Sequence, residues 1–314
     1  MSKGIATREA YGNALAEIGA DPRIVVLDAD LSKSTKTDVF KKQYPERFIN
    51  MGIAESNMMA VAAGIASCGK IVFASTFAMF AAGRAFEQVR NSICYPALNV
   101  KIGATHAGLT VGEDGASHQS IEDIALMRSV PNMTVISPAD GVEARLATIA
   151  AAKIDGPVYL RFSRMTSPIL FDENTYKFEV GKGVTLTEGN DVTIIATGYM
   201  VSEAINAVEM LKSEGISARL INIHTIKPID KDIIINAAKE TGAIVTCEEH
   251  NVFGGLGSAV AEVLVENYPV PVRMVGVRDK FGKSGKAQDV MKLYGLTAEN
   301  IVAKAKEVIA MKKA

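Results

Sequence analysis

Two of the four histidines, His106 and His118, lie between Thr105 and Gln119 in company with Glu113 and Asp114. Imidazoles and carboxylates this close in sequence can give and take protons near neutral pH. Glycines at 103, 108, 112 and 115 strip the run of side-chain bulk, so its backbone can fold tightly around a ligand. A solvated polar turn would have a similar composition. Other segments of the chain decide between these readings.

Glu55 is a further candidate, set in Met51-Gly52-Ile53-Ala54-Glu55-Ser56-Asn57-Met58 at the start of a helix with apolar Ile53, Met58, Met59 and Val61 around it. From position alone it is an ordinary first-turn carboxylate complementing the helix dipole. Phe77 and Phe80, three apart, read by spacing as core packing. Arg8 and Arg164 carry the planar fork that meets phosphate oxygens two at a time. As plain surface residues, Arg8 would be solvated and Arg164 would pair with Asp172 or Glu173.

The elements that must position these groups follow an α/β pattern. Short apolar, β-branched runs at Ile24–Leu27, Ile71–Ala74, Val100–Gly103, Thr134–Ile136 and Val158–Leu160 alternate with helical periodicity over 55–67, 80–93, 120–127 and 140–152. That alternation predicts a mostly parallel sheet flanked by helices. Ligands of open α/β sheets sit beyond the carboxyl ends of strands. Residues 28–34, residues 75–80 and the histidine loop each follow a strand, so three candidate segments converge on one edge.

From Ser163 to Tyr176 the periodicity is lost around Pro168. The expected division is one domain over 1–165, a linker over 166–185 and a smaller α/β domain over 186–314. Its expected strands are Val192–Thr197, Ala218–Asn222, Ala243–Cys247 and Val272–Val275, with a closing helix over 300–312. Gly254-Gly255-Leu256-Gly257 lacks the spacing of a dinucleotide loop and reads as a close strand–helix turn. His224 and His250 have no neighbouring set of three or four ligands such as a metal requires. Both read as structural or interfacial, and no metal site is expected in this chain.

Taken in order, Ala6-Thr7-Arg8, Asp28 to Leu31, the Glu55 segment, Ser75 to Phe80, the histidine loop, Arg128 to Met133, Ser163-Arg164 and Phe281 to Gly285 resemble the pyrimidine-binding and C-terminal domains of transketolase. The resemblance covers nearly the whole chain. It implies thiamine diphosphate held between two domains, with the diphosphate end bound through Mg2+ or Ca2+ by a Gly-Asp-Gly motif and a later Asn. No Gly-Asp-Gly occurs in this sequence. The chain therefore resembles the C-terminal subunit of a split transketolase. The implied partner is an N-terminal subunit that carries the motif and the metal, the two kinds of subunit associating as a heterotetramer.

The resemblance also implies roles. Glu55 matches the carboxylic acid that hydrogen-bonds the aminopyrimidine and so activates the cofactor, although the Arg and His that commonly flank it are replaced by Ala54 and Ser56. Phe77 and Phe80 match the aromatic wall around that ring, with Asp30 and Leu31 lining the cleft. Gly83 stands where many transketolases have a third aromatic. His118 matches the histidine beside the donor carbonyl and Asp114 the carboxylate that reads a sugar hydroxyl. Arg8, Ser34, His106 and Arg164 match the group that grips the phosphate of a sugar phosphate. The implied reaction passes a two-carbon ketol unit from a ketose phosphate to an aldose phosphate.

Bulk properties agree with a small-molecule enzyme. With 34 basic and 35 acidic residues in 314, the net charge of −1 argues for neither nucleic acid nor an anionic membrane as partner. Cys68, Cys94 and Cys247 are widely spaced in apolar contexts and read as buried thiols of a reducing, cytoplasmic compartment. No apolar run approaches the ~18 residues of a membrane span. Two rivals remain at this level. One is the β subunit of a 2-oxo acid dehydrogenase or a deoxyxylulose phosphate synthase, which retains a segment like that of Glu55 but matches the histidine loop less well. The other is a catalytically silent regulatory subunit, which would have no reason to keep Glu55, Asp114 and His118 together.

Overall fold

A computed structural model describes residues 4–312. The first half supplies β1 (Ile5–Ala6), β2 (Ile24–Asp28), β3 (Phe48–Asn50), β4 (Ile71–Phe77), β5 (Val100–Thr105), β6 (Thr134–Ile136), β7 (Val158–Arg161) and β8 (Thr166–Ser167). The second half supplies β9 (Val184–Thr187), β10 (Val192–Ala196), β11 (Ala218–Asn222), β12 (Thr225–Lys227), β13 (Ile244–Asn251) and β14 (Val272–Val277). The larger sheet runs β12-β6-β7-β5-β4-β2-β3 and the smaller β14-β13-β10-β11-β9. Pairing is parallel except at the edges, where β12 on β6 and β9 on β11 are antiparallel. Strands β2, β4, β5 and β7 are buried along their whole length. Covered on both faces, such strands are rich in apolar residues, which is why the sequence located them, although β5 buries Lys101 and β7 buries Arg161.

Helices pack on both faces of the larger sheet. On one side Met58, Met59 and Ala62 of the helix Glu55–Ser67 meet Val72, Ala74 and Ile102. On the other, Tyr11 and Leu15 of the helix Thr7–Ile18 meet Phe73, Phe162 and Ala147. Tyr11 stacks on Phe162 at 4.7 Å and its hydroxyl shares a 2.6 Å hydrogen bond with Ser75. Among the described residues no helix is long and apolar enough to cross a membrane.

Several sequence expectations are corrected. The continuous helix expected over 80–93 is broken into a π-helical turn, Phe80–Arg84, a short α segment, Phe86–Gln88, and a second π-helical stretch, Val89–Cys94. Residues with α-type periodicity can take either form, and π turns are frequent at functional sites. The helix expected over 120–127 is Asp123–Ser129. Cys68 is exposed, because it caps the last turn of the helix Glu55–Ser67; Cys94 and Cys247 are buried. The strand β12, from the second half of the chain, extends the first sheet, which its three residues could not signal.

The segment after β8 has no regular structure up to β9 yet is held in place. Asp140 accepts the N–H groups of Leu170 and Phe171, and the Tyr176 hydroxyl donates to Glu143. The halves also meet through buried charge. Arg161 pairs with Asp123 at 2.8 Å, donates to the Glu249 carbonyl at 2.9 Å, and lies beside Tyr159, whose hydroxyl donates to Asp123 at 2.9 Å. Breaking one partner out of such a pair costs about 3–5 kcal/mol; the pair itself lies within the first half, and the bond from Arg161 to the Glu249 carbonyl ties it to the second.

Candidate active site

The cleft lies where strand order reverses between β2 and β4, the place at which open α/β sheets gather ligands. Asp28, at the end of β2, accepts from the Leu31 N–H at 2.6 Å, the Thr35 hydroxyl at 2.6 Å and the Thr37 hydroxyl at 2.8 Å. These bonds shape the loop that carries Asp30, Leu31 and Ser34. Asp30 sits at φ 63°, the left-handed region that non-glycine residues seldom occupy, and takes a 2.8 Å hydrogen bond from Asn50. His106, after β5, is likewise held at φ 56°. Two of the sequence candidates thus hold backbone conformations of the kind that clusters at functional sites.

A two-stranded ribbon explains how Arg8 and Arg164, far apart in sequence, come together. Strand β1 pairs antiparallel with β8, and Thr7 Oγ1 accepts the Ser163 N–H at 2.9 Å. Arg8 Nη1 donates to the Ser34 carbonyl at 2.8 Å. Burial lowers the Arg8 pKa from its ordinary value, and the positive charge of Arg164 adds to that direction while Glu9 opposes it. Arg164 does not pair with Asp172 or Glu173. It donates to the Val111 carbonyl at 2.5 Å and lies 3.5 and 3.6 Å from Glu113 and Asp114, while Glu173 pairs with Arg145. Arg164 therefore braces the histidine loop as well as facing the cleft.

The structure brings four of the candidate rings together. Phe77 and Phe80 stack at 5.7 Å, the His106 ring stacks on Phe77 at 3.9 Å, and His118 meets Phe80 edge-on at 5.3 Å. Burial, and then the charges of Arg8, Arg164 and His118, push His106 down to about 3, so it is a neutral imidazole at ordinary pH. Its Nδ1 shares a 2.9 Å hydrogen bond with Thr105 Oγ1. His118 Nδ1 is 2.9 Å from Ser117 Oγ. Glu55 is 4% exposed; Met58 and Met59 are buried beside it, whereas Ile53 turns outward at 78% exposure.

Three residues that the sequence did not single out complete the site. Arg84 donates to Glu55 at 3.0 Å and its guanidinium lies over the Phe80 ring, 3.9 Å from the centroid. A β carbon on the neighbouring Gly83 would lie 2.4 Å from Met79 Cε. Buried Gln119 donates to the carbonyls of Leu109, Gly112 and Lys283. Glu249, from the second half, accepts the Thr110 N–H. Its carboxyl is pushed up to about 7 by burial, partly offset by Arg161. The bonds from Arg84 to Glu55, from Gln119 to Lys283 and from Thr110 to Glu249 join positions far apart in the chain and leave no periodic trace. His224 and His250 are fully buried away from the cleft, and the Glu248 carboxylate already caps the helix that follows Gly255.

Residues 3–168 match the family described as transketolase, pyrimidine binding domain, and residues 181–301 match transketolase, C-terminal domain. The chain belongs to the transketolase family. A solved structure described as a split gene transketolase, inactive beta4 tetramer, superposes with a TM-score of 0.92 at 58% identity, covering 98% of this chain and 99% of that one. The 6-deoxy-6-sulfo-D-fructose transketolase subunit SqwH of Clostridium sp. is 46% identical over 97% of this chain and 95% of its own length. Rat (Rattus norvegicus) transketolase is 41% identical over 97% of this chain, which spans 49% of it. Within the transketolase family this chain thus corresponds to the split, C-terminal kind of subunit.

Proposed function

We propose that this chain is the pyrimidine-binding subunit of a two-subunit, thiamine diphosphate-dependent transketolase that moves a ketol unit from a ketose phosphate to an aldose phosphate. The observation that carries the reading is the slot between Glu55 and Phe80. A planar, delocalised N–H donor, the Arg84 guanidinium, already lies face-on to Phe80 and hydrogen-bonded to the buried Glu55. An aminopyrimidine ring is a group of the same shape and donor character, so the residues fit it. Among the described residues no cluster of three or more His, Cys, Asp or Glu is placed to hold a metal. We assign the diphosphate and its Mg2+ or Ca2+ to a separate Gly-Asp-Gly subunit, two copies of each chain forming the assembly.

When bound, thiamine diphosphate supplies a nucleophilic thiazolium carbon and a base, its own aminopyrimidine. The chain's residues do the rest. Glu55 holds a proton against the pyrimidine nitrogen, in a site dry enough for that hydrogen bond to orient the ring. Phe77 and Phe80 set the ring plane by stacking, worth about 0.5–1.5 kcal/mol beyond buried area, and Asp30 and Leu31 line the cleft. In this reading His118 hydrogen-bonds the donor's oxygens near the carbonyl, and Asp114 takes a sugar hydroxyl. Arg8 and Arg164, with Ser34, meet the phosphate charge. His106, being neutral, adds a hydrogen bond there but no charge.

Mixing the purified chain with a Gly-Asp-Gly subunit, thiamine diphosphate and Mg2+ should give ketol transfer between sugar phosphates, and neither subunit alone should do so. Turnover by this chain alone, or none by the mixture, overturns the reading.

A further inference from the structure

The slot between Glu55 and Phe80 holds one of the protein's own side chains. Arg84 ends the π-helical turn that begins at Phe80, and its guanidinium lies over the Phe80 ring. Its backbone is tied down, because Ser56 Oγ donates to the Arg84 carbonyl at 2.9 Å. The side chain is 52% exposed, whereas that of Glu55 is 5% exposed. Only the guanidinium can therefore move without disturbing the fold.

We infer that Arg84 is an internal occupant of the pyrimidine slot: in the unloaded chain it covers Phe80 and neutralises Glu55, and it swings outward when the cofactor ring enters. The inference rests on the function proposed above. Two chemical requirements favour it. A buried carboxylate without a counter-charge is costly, so an empty slot would leave Glu55 destabilising the chain. A flat cation also satisfies an aromatic face that would otherwise meet water. The ring and the guanidinium would make the same two contacts, to the face of Phe80 and to the carboxyl of Glu55, so they exclude each other. Binding of the cofactor is then a competition in which Arg84 must first leave, and the apparent affinity is lowered by the fraction of chains in which it is home.

Titration calorimetry of thiamine diphosphate with Mg2+ into the assembled enzyme tests this. Arg84→Met keeps an apolar, flexible stem but removes the charge and the N–H donors; it should bind the cofactor about tenfold more tightly than wild type, since one ion pair and one cation–π contact no longer compete. Arg84→Lys, which keeps the charge without the planar fork, should fall between them. The lone Arg84→Met chain should melt about 2–4 °C lower, as expected when Glu55 loses its partner, and the added change Glu55→Gln should restore most of that loss. Tightening in Met with an intermediate Lys supports the proposal. Equal or weaker binding by Arg84→Met, in an enzyme whose wild type binds normally, overturns it alone and makes Arg84 part of the loaded pocket. A wild-type assembly that binds no thiamine diphosphate overturns the parent reading and this one with it.

Discussion

Glu249, on the last β-strand but one of the second half, accepts the backbone N–H of Thr110 at the root of the histidine loop. The contact is close enough to dictate sequence on the other side. Gly108 lies at φ 78°, and a β carbon there would stand 2.4 Å from the Glu249 carboxyl carbon. The second half of the chain, which supplies no side chain to the aromatic wall, thereby sets the position of the loop that carries Asp114 and His118. It gives the C-terminal domain a mechanical part in the site.

Replacing Glu249 with Ala should leave the Thr110 N–H buried and unsatisfied, at a cost of about 1–3 kcal/mol. Glu249→Gln, whose amide oxygen can still accept, should recover most of it. In the assembled enzyme the Ala variant should also raise the KM for sugar substrates while Gln stays near wild type. Denaturant midpoints and KM values for the two variants check this; an Ala variant that loses stability but keeps its KM would mean that the loop is positioned by other contacts.

Glu55→Gln should retain thiamine diphosphate binding within a few-fold yet stop exchange of the cofactor's C2 proton in the assembled enzyme. A neutral amide can still hydrogen-bond the pyrimidine but cannot exchange a proton with it. Proton exchange followed by NMR reports the difference, and exchange at the wild-type rate would remove Glu55 from the chemistry.

Acid stability carries a signature of the buried imidazoles. Burial pushes His224, whose ring centroid lies 4.2 Å from that of Phe178, down to about 4. An unfolded chain takes up a proton near pH 6.5 that the folded one refuses, so stability is lost as pH falls from 6.5 toward 4. Between pH 7 and pH 5 the loss from this one group is about 2 kcal/mol. Glu143, Glu248 and Glu249, each raised by burial to about 7, act with the opposite sign, losing stability as pH rises from 4.5 to 7. Their effects cancel in a comparison with His224→Leu. The stability gap between wild type and that variant, from urea unfolding, should shift by about 2 kcal/mol in favour of the variant on going from pH 7 to pH 5; a gap independent of pH would show that His224 titrates alike in both states.

Much of the fold was legible because its central strands are buried on both faces, so that Ile24–Leu27 and Ile71–Ala74 stand out as apolar runs. The helix at Glu55–Ser67 was read to the residue, and the convergence of the β2, β4 and β5 loops followed from the rule for open sheets. The π turns at Phe80–Arg84 and Val89–Cys94 were not legible, since a wider turn uses the same small and apolar residues as an α-helix. Nor were the partners of Arg164, Arg84 and Glu249. Charge alone made Asp172 and Glu173 plausible mates for Arg164, whereas the β1–β8 ribbon turns it toward Glu113 and Asp114. Long-range pairings of this kind are decided by topology, and local sequence carries no record of them.

The two arginines of the cleft should behave differently when removed. Among the described residues Arg8 makes one side-chain hydrogen bond, to the Ser34 carbonyl, whereas Arg164 braces Val111 and neighbours both carboxylates of the loop. A charge-assisted contact is worth about 1.5–3 kcal/mol, so Arg8→Ala should raise the KM of phosphorylated substrates about 10–150-fold. The turnover number should change little, because a phosphate remote from the breaking bond is held alike in ground and transition states. Glycolaldehyde, which has no phosphate, should be nearly indifferent. Arg164→Ala should impair both substrate classes, because the loop bearing Asp114 and His118 loses a brace as well as a cation. Steady-state kinetics with paired phosphorylated and unphosphorylated acceptors separates the cases. Equal losses for both acceptors in Arg8→Ala would assign Arg8 to the fold rather than to the phosphate.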